Sequence, residues 1–212
     1  MKARNTRASA RPTGSRARWG VDDGVFRILA VCTGNVCRSP VAERALQSGF
    51  DELAPGRFQI SSAGTSGLSG DPVSEEITKI AADAEIDFTG FRARRLVPEH
   101  IDGADLVLTM ARDHRSAVVV MAPSALGRTF TLREFARILP RVPPESASDP
   151  VERWRALAVL ARRYRHAGPG DGDDVVDPYG RSAKTHQRMY AQMMPAIGRL
   201  LDWERSFGRN AL

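Results

Sequence analysis

The sequence predicts an α/β protein built on a parallel sheet with helices on both faces, and a ligand site at the carboxyl end of its first strand. Three observations predict it. Short, nearly unbroken apolar runs alternate with stretches of helical period, which is the pattern of strands buried on both faces and linked by crossover helices. The 212 residues, 42% hydrophobic and 26% charged, suffice for one globular domain with a real core and exclude a chain disordered throughout or a small stapled scaffold. A loop bearing glycine, asparagine, arginine and two cysteines joins the first apolar run to the first helical stretch.

Taken in order, Val25 to Val31 is the first strand. The loop Cys32-Thr33-Gly34-Asn35-Val36-Cys37-Arg38-Ser39 follows, then a helix opening at Pro40, with Ser39 expected to cap it and Gly49 to end it. Phe58 to Ser61 reads as a second strand and Pro72 to Glu85 as a helix with Val73, Ile77, Ile80 and Ala81 on one side. Leu106 to Met110 is a third buried strand, residues 111–121 a helix, and Thr129 to Leu132 a fourth strand leading into a short helix. Residues 141–174 interrupt the alternation with Pro143-Pro144, a helix from Pro150 to Arg165 capped by Asp149, and a loop rich in glycine and aspartate. Trp154, Leu157, Leu160 and Tyr164 give that helix one apolar side, so it should pack on the domain. A last helix from about Ser182 to Glu204 carries Met189, Met193, Ile197, Leu200 and Leu201 as core residues, with a kink expected at Pro195.

The formal charge of +6 is misleading as a nucleic-acid signal. Residues 1–20 hold six basic side chains and no acid, so the remainder balances 25 against 25. That basic segment has one large apolar residue, Trp19, and is expected to be a disordered tail, a weak electrostatic contact with nucleic acid or anionic lipid being the alternative. The expected organisation is therefore a tail over 1–20 and a single domain over 21–212 with a helical insertion at about 141–174. No run of eighteen apolar residues and no leader-like segment occurs, which points to a cytoplasmic protein without a membrane span. Two cysteines make neither a disulfide framework nor a zinc site. His100, His114, His166 and His186 have no metal-ligand spacing and read as ordinary surface or helix residues. No metal and no cofactor is expected.

Cys32 and Arg38 would mean little alone, because 28 arginines produce such a spacing by chance in roughly one chain in four. Their context sharpens them. Between a buried strand and a helix, the N–H groups from Thr33 to Arg38 can curl around a tetrahedral anion at the positive end of the helix. Arg38 can add a bidentate grip, and Ser39 can donate a hydrogen bond to the Cys32 sulfur, making a thiolate nucleophile available. Neither a G-x-x-x-x-G-K-[ST] nor a G-x-G-x-x-G loop is present, so a nucleotide cradle is not indicated.

The run Val31-Cys32-Thr33-Gly34-Asn35-Val36-Cys37-Arg38-Ser39-Pro40 resembles the active-site loop of the low-molecular-weight protein tyrosine phosphatases, meeting every specified position of that pattern. Ser62-Ala63-Gly64-Thr65 and Ala104 to Met110 resemble the family's segments at its second and third strands, and Asp177-Pro178-Tyr179 its acid loop. The resemblance spans about residues 25–140 and 175–205. It implies a four-stranded parallel, Rossmann-like sheet with helices on both faces, and metal-free hydrolysis of phosphotyrosine proteins through a phosphocysteine on Cys32. Thr33, Gly34, Asn35, Val36, Cys37, Arg38 and Ser39 would form the phosphate cradle, Asn35 chiefly by shaping the loop. Asp177 would be the general acid, the alternative being a turn residue, since Asp-Pro also occurs at Asp71 and Asp149. Tyr179 would be one wall of the substrate slot, or else a packing residue.

Leu68 stands where some members, notably eukaryotic ones, carry a second aromatic wall, and in this it resembles bacterial members. Cys37 could form a reversible disulfide protecting Cys32, or simply be a small apolar loop residue. The nearest rival function is phosphoarginine hydrolysis, carried out by a bacterial branch with threonine where this chain has Val36. Two further rivals are a small-thiol-dependent arsenate reductase and a catalytically dead phosphate-binding module. No cysteine follows Cys37 to serve a thioredoxin-coupled reductase.

Overall fold

A computed structural model describes residues 24–82, 86–143, 147–165 and 172–208. Four strands, β1 (Phe26–Cys32), β2 (Phe58–Gly64), β3 (Leu106–Thr109) and β4 (Thr129–Thr131), form one sheet in the order β2-β1-β3-β4. All pairings are parallel, with Phe26 beside Phe58, Ile28 beside Leu106 and Val107 beside Thr129. The chain adds β2 on one side of β1 and β3 on the other. That reversal opens a crevice at the carboxyl ends of β1 and β3, where ligands of such sheets bind.

Alternation along β1 divides the core into two layers. Phe26, Ile28, Ala30 and Cys32 join Leu106 and Leu108 on one face, under α1 (Arg38–Leu53), α5 (Leu132–Ile138), α6 (Pro150–Ala161) and α7 (Ala183–Gly208). Leu29, Val31 and Val107 form the other, smaller layer with α3 (Pro98–Asp102), α4 (Arg112–Met121) and the 3-10 turn Pro123–Arg128. A short helix, α2 (Glu75–Ala82), lies between β2 and α3 in sequence and contributes Ile77 to the larger layer.

Several boundaries differ from the expectation for identifiable reasons. Gly49 does not end α1, which continues to Leu53. A Cβ at Gly49 would meet Leu201 at 2.4 Å, so this glycine is the notch that lets α7 pack on α1. Ser39 does not cap α1 either. Cys37 holds that position without a side-chain bond, because the Ser39 hydroxyl is engaged with the loop. The expected helix over 72–85 is α2, starting at Glu75, and residues 83–85 lie outside the described ones.

Asp149 caps α6 as expected, accepting from Val151 and Glu152 N–H at 2.9 and 3.0 Å. From that helix Trp154 inserts among Phe26, Phe50, Phe58, Phe135 and Trp203, and its indole N–H donates to Glu204 at 2.9 Å. Glu204 also receives Arg153, both side chains being buried, so charge and apolar area together hold α6 against α7. Residues 1–20, for which a tail is expected, and 166–171 with His166 lie outside the described residues.

Candidate active site

The loop between β1 and α1 is held from outside by its carbonyls. Those of Cys32, Thr33, Gly34 and Val36 accept N–H groups of Thr65, Ser66, Leu68 and Ser74 at 2.9–3.0 Å. With carbonyls turned outward, loop N–H groups face the cradle, and that of Asn35 reaches Cys32 Sγ at 3.3 Å. The close approach requires Gly64 at the end of β2, where a Cβ would meet Thr33 O at 2.4 Å.

Asn35 organises the interior of the loop. It is fully buried with φ +58°, a left-handed backbone that asparagine tolerates better than most side chains. Its Nδ2 donates to Ser39 Oγ at 2.9 Å and Ser62 Oγ at 2.8 Å, while its Oδ1 accepts Arg94 N–H at 2.8 Å. The reverse amide orientation would set two donors face to face at Arg94, so the network fixes which way Asn35 points. With the Ser39 oxygen accepting from Asn35, its proton is left for Cys32 Sγ, 3.0 Å away. Ser62 in turn donates to Glu43 at 2.5 Å, and burial pushes the Glu43 carboxyl above its ordinary value.

A pocket of about 130 Å3 opens over this loop, lined by Cys32, Thr33, Gly34, Val36, Cys37, Arg38, Ser66, Leu68, Asp177 and Tyr179. Asn35 and Ser39 stand behind it and act on the sulfur rather than on the pocket. Arg38 is buried and held by three contacts: Nη2 to Thr33 Oγ1 at 3.1 Å, Nη1 to Val175 O at 3.4 Å, and Nη2 to Asp177 Oδ2 at 2.7 Å. Asp177 is half-exposed, on a segment that Val175 N–H anchors to Met110 O and Val176 N–H anchors to Gln192 Oε1. Asp173 and Asp174 tether the same segment to Arg137 of α5 and Arg112 of α4. Leu68 and Tyr179, 36% and 60% exposed, form the rim.

Both cysteines are free thiols. Cys37 faces Ser74 Oγ at 3.4 Å, and burial pushes its thiol up to about 11. Sequence reasoning missed Ser66 on the pocket wall, and Ser62, Arg94 and Glu43 behind the loop. His114 is a helix residue, on α4, but its contact with the loop was not foreseen: it is buried with Nε2 2.9 Å from Thr33 Oγ1. Burial, aided by the Arg38 charge, lowers His114 to about 4. His186 is a helix residue, buried on α7.

A buried thiol with two donors on its sulfur, set at the head of a helix beside an arginine, suits oxyanion chemistry at a cysteine, and fold and site together have the character of the phosphomonoester hydrolases. The profile of the low molecular weight phosphotyrosine protein phosphatase family matches residues 27–143, and the chain belongs to that family. It is 34% identical over 131 residues to a protein-arginine-phosphatase of Geobacillus stearothermophilus, covering 62% of this chain and 85% of the relative. It is 37% identical over 108 residues to the low molecular weight protein-tyrosine-phosphatase Etp of Escherichia coli K12, covering 51% and 70%. Among solved structures, the YwlE arginine phosphatase of Geobacillus stearothermophilus superposes with a TM-score of 0.62 at 28% identity, over 84% of this chain and 91% of that one.

Proposed function

We propose that this protein hydrolyses phosphotyrosine in proteins by two in-line displacements at Cys32. The observation that carries the reading is the convergence of Cys32, Arg38 and Asp177 on one pocket, with Asp177 2.7 Å from Arg38. The Cys32 thiolate attacks phosphorus while the bond to the tyrosine oxygen breaks, and Asp177 gives its proton to the departing phenolate. Loop N–H groups and Arg38 hold the equatorial oxygens as charge spreads over them. Asp177, now a carboxylate, takes a proton from the water that attacks the phosphocysteine, releasing phosphate and the thiolate. Because Asp177 and phosphate oxygens share the Arg38 guanidinium, substrate binding moves the Asp177 carboxyl from the arginine toward the ester oxygen, where it acts in its acid form.

Tyr179 and Leu68 supply the rim against which a substrate ring would lie. A second reading, phosphoarginine hydrolysis, has the support of the Geobacillus relative's name. Against it stands Val36, an aliphatic pocket residue with no hydroxyl to orient a guanidinium phosphoramidate. We further propose a bacterial, cytoplasmic setting, where a reducing environment keeps the nucleophilic thiol active. Among the described residues no helix is long and apolar enough to cross a membrane.

The test is turnover of phosphotyrosine, phosphoserine and phosphoarginine peptides in EDTA, beside Cys32→Ser. Hydrolysis of phosphotyrosine alone, lost in the variant, is expected. Preference for phosphoarginine would overturn the role given to Val36. Absence of all turnover would shift the weight to thiol-dependent arsenate reduction or phosphate binding without chemistry.

A further inference from the structure

His114 belongs to α4, on the smaller side of the sheet, and none of the steps above uses it. Its ring nevertheless touches the cradle through Thr33. Nδ1 of His114 is buried with no hydrogen-bond partner among the described residues. An orphaned ring N–H there would forfeit a donor bond, whereas a bare lone pair forfeits less, so the proton belongs on Nε2. Nε2–H therefore donates to Thr33 Oγ1, which also accepts from Arg38 Nη2 at 3.1 Å. Both lone pairs of the threonine oxygen are then occupied. Its own proton must point elsewhere, and Thr33 lines the pocket.

We propose that His114 is a positioning residue of the phosphate cradle: by donating Nε2–H to Thr33 it holds the threonine oxygen against Arg38 and turns the Thr33 hydroxyl into the pocket as a further donor to a bound phosphoryl oxygen. The inference rests on the reading of this pocket as the phosphate site. Arg38 Nη2 has two N–H groups, one given to Thr33 and one to Asp177. The Thr33 contact thus sets the guanidinium plane while the Asp177 contact yields to substrate. A ring with protons on both nitrogens would still donate to Thr33 but would bring a second positive charge beside Arg38. The depression of His114 to about 4 keeps the ring uncharged at neutral pH.

The experiment compares wild type, His114→Leu, His114→Gln, Thr33→Val and the His114→Leu/Thr33→Val double variant on nitrophenyl phosphate, with inorganic phosphate as competitive inhibitor. His114→Leu and Thr33→Val should each lower kcat/KM about tenfold and weaken phosphate inhibition. The double variant should be no worse than Thr33→Val, and His114→Gln, whose amide can place a donor near the same point, should recover most of the loss. Losses that multiply in the double variant, or a glutamine variant as poor as leucine, overturn the proposal. Should His114→Leu fail to fold, 15N spectra of the wild-type histidines decide instead: an uncharged ring with its proton on Nε2 is expected, and a proton on Nδ1 refutes the arrangement. A wild type that hydrolyses no phosphomonoester sinks the functional reading beneath the inference, whereas an active wild type with the wrong tautomer sinks the inference alone.

Discussion

Asn35→Ala should be among the most costly single substitutions in the active-site loop. The change removes two donors and an acceptor that serve Ser39, Ser62 and Arg94 at 2.8–2.9 Å, all within a fully buried site. Each bond is worth about 1 kcal/mol net, and more where the abandoned partner stays buried. Alanine is also less tolerant of the left-handed backbone at φ +58°, adding roughly 1 kcal/mol. The expected loss is about 4 kcal/mol, a large part of the 5–15 kcal/mol typical of a folded domain. Urea unfolding, followed by the fluorescence of buried Trp154, should show the midpoint falling by about 2 M for a slope near 2 kcal/mol/M. Asn35→Gly separates the two contributions, because it loses the same side-chain bonds but fits the backbone, and should be about 1 kcal/mol more stable than Asn35→Ala. An alanine variant within about 1 kcal/mol of wild type, or a glycine variant no better than alanine, would refute the reasoning.

Asp177→Asn should slow phenyl phosphate about a hundredfold and nitrophenyl phosphate much less, since only the poorer leaving group depends on the proton; equal slowing would remove Asp177 as the acid. Iodoacetate at neutral pH should carboxymethylate Cys32, with inorganic phosphate protecting it, and spare Cys37, whose thiol burial pushes up to about 11; a peptide map with Cys37 labelled first would contradict this. His114 is uncharged in the fold until about pH 4 but titrates near 6.5 once unfolded. Its contribution to stability is therefore complete above pH 6.5 and lost as pH falls toward 4, amounting to roughly 3 kcal/mol. Arg38 disfavours the charged ring, while Asp177, Asp113 and Asp174 oppose that effect. Denaturant titrations should show a smaller acid loss for His114→Gln than for wild type, and identical losses would rule the histidine out as the source.

What the sequence reveals is mostly local. The run into Cys32 marks β1, and Gly34, Asn35 and Arg38 mark the loop, because strand, turn and helix start follow one another within fifteen residues. Asn35 is expected to shape the loop rather than touch substrate, and it is buried, outside the pocket lining. The residues that mislead are those whose roles depend on distant partners. Gly49 looks like a stop signal until Leu201 arrives from α7. Ser39 looks like a cap until Asn35 and Cys32 take its hydroxyl. His114 meets Thr33 across 81 positions, and no spacing rule marks such a pair. Asp177 stands out among crowded aspartates by its Pro-Tyr neighbours, whereas the grips of Asp173 on Arg137 and Asp174 on Arg112 depend on how α4 and α5 pack.

The separation of Cys32 from Asp177 along the chain has a bearing on synthesis. A chain growing on the ribosome exposes its thiol loop early, yet β1 gains its neighbour β3 only after residue 109 has emerged, and Asp177 comes later still. On the proposed mechanism the nucleophile has no proton donor opposite it until then. A nascent or prematurely terminated chain would then carry the thiol loop without the acid proposed to protonate a departing phenolate, so that efficient hydrolysis of a poor leaving group is expected only after the acid loop has been made.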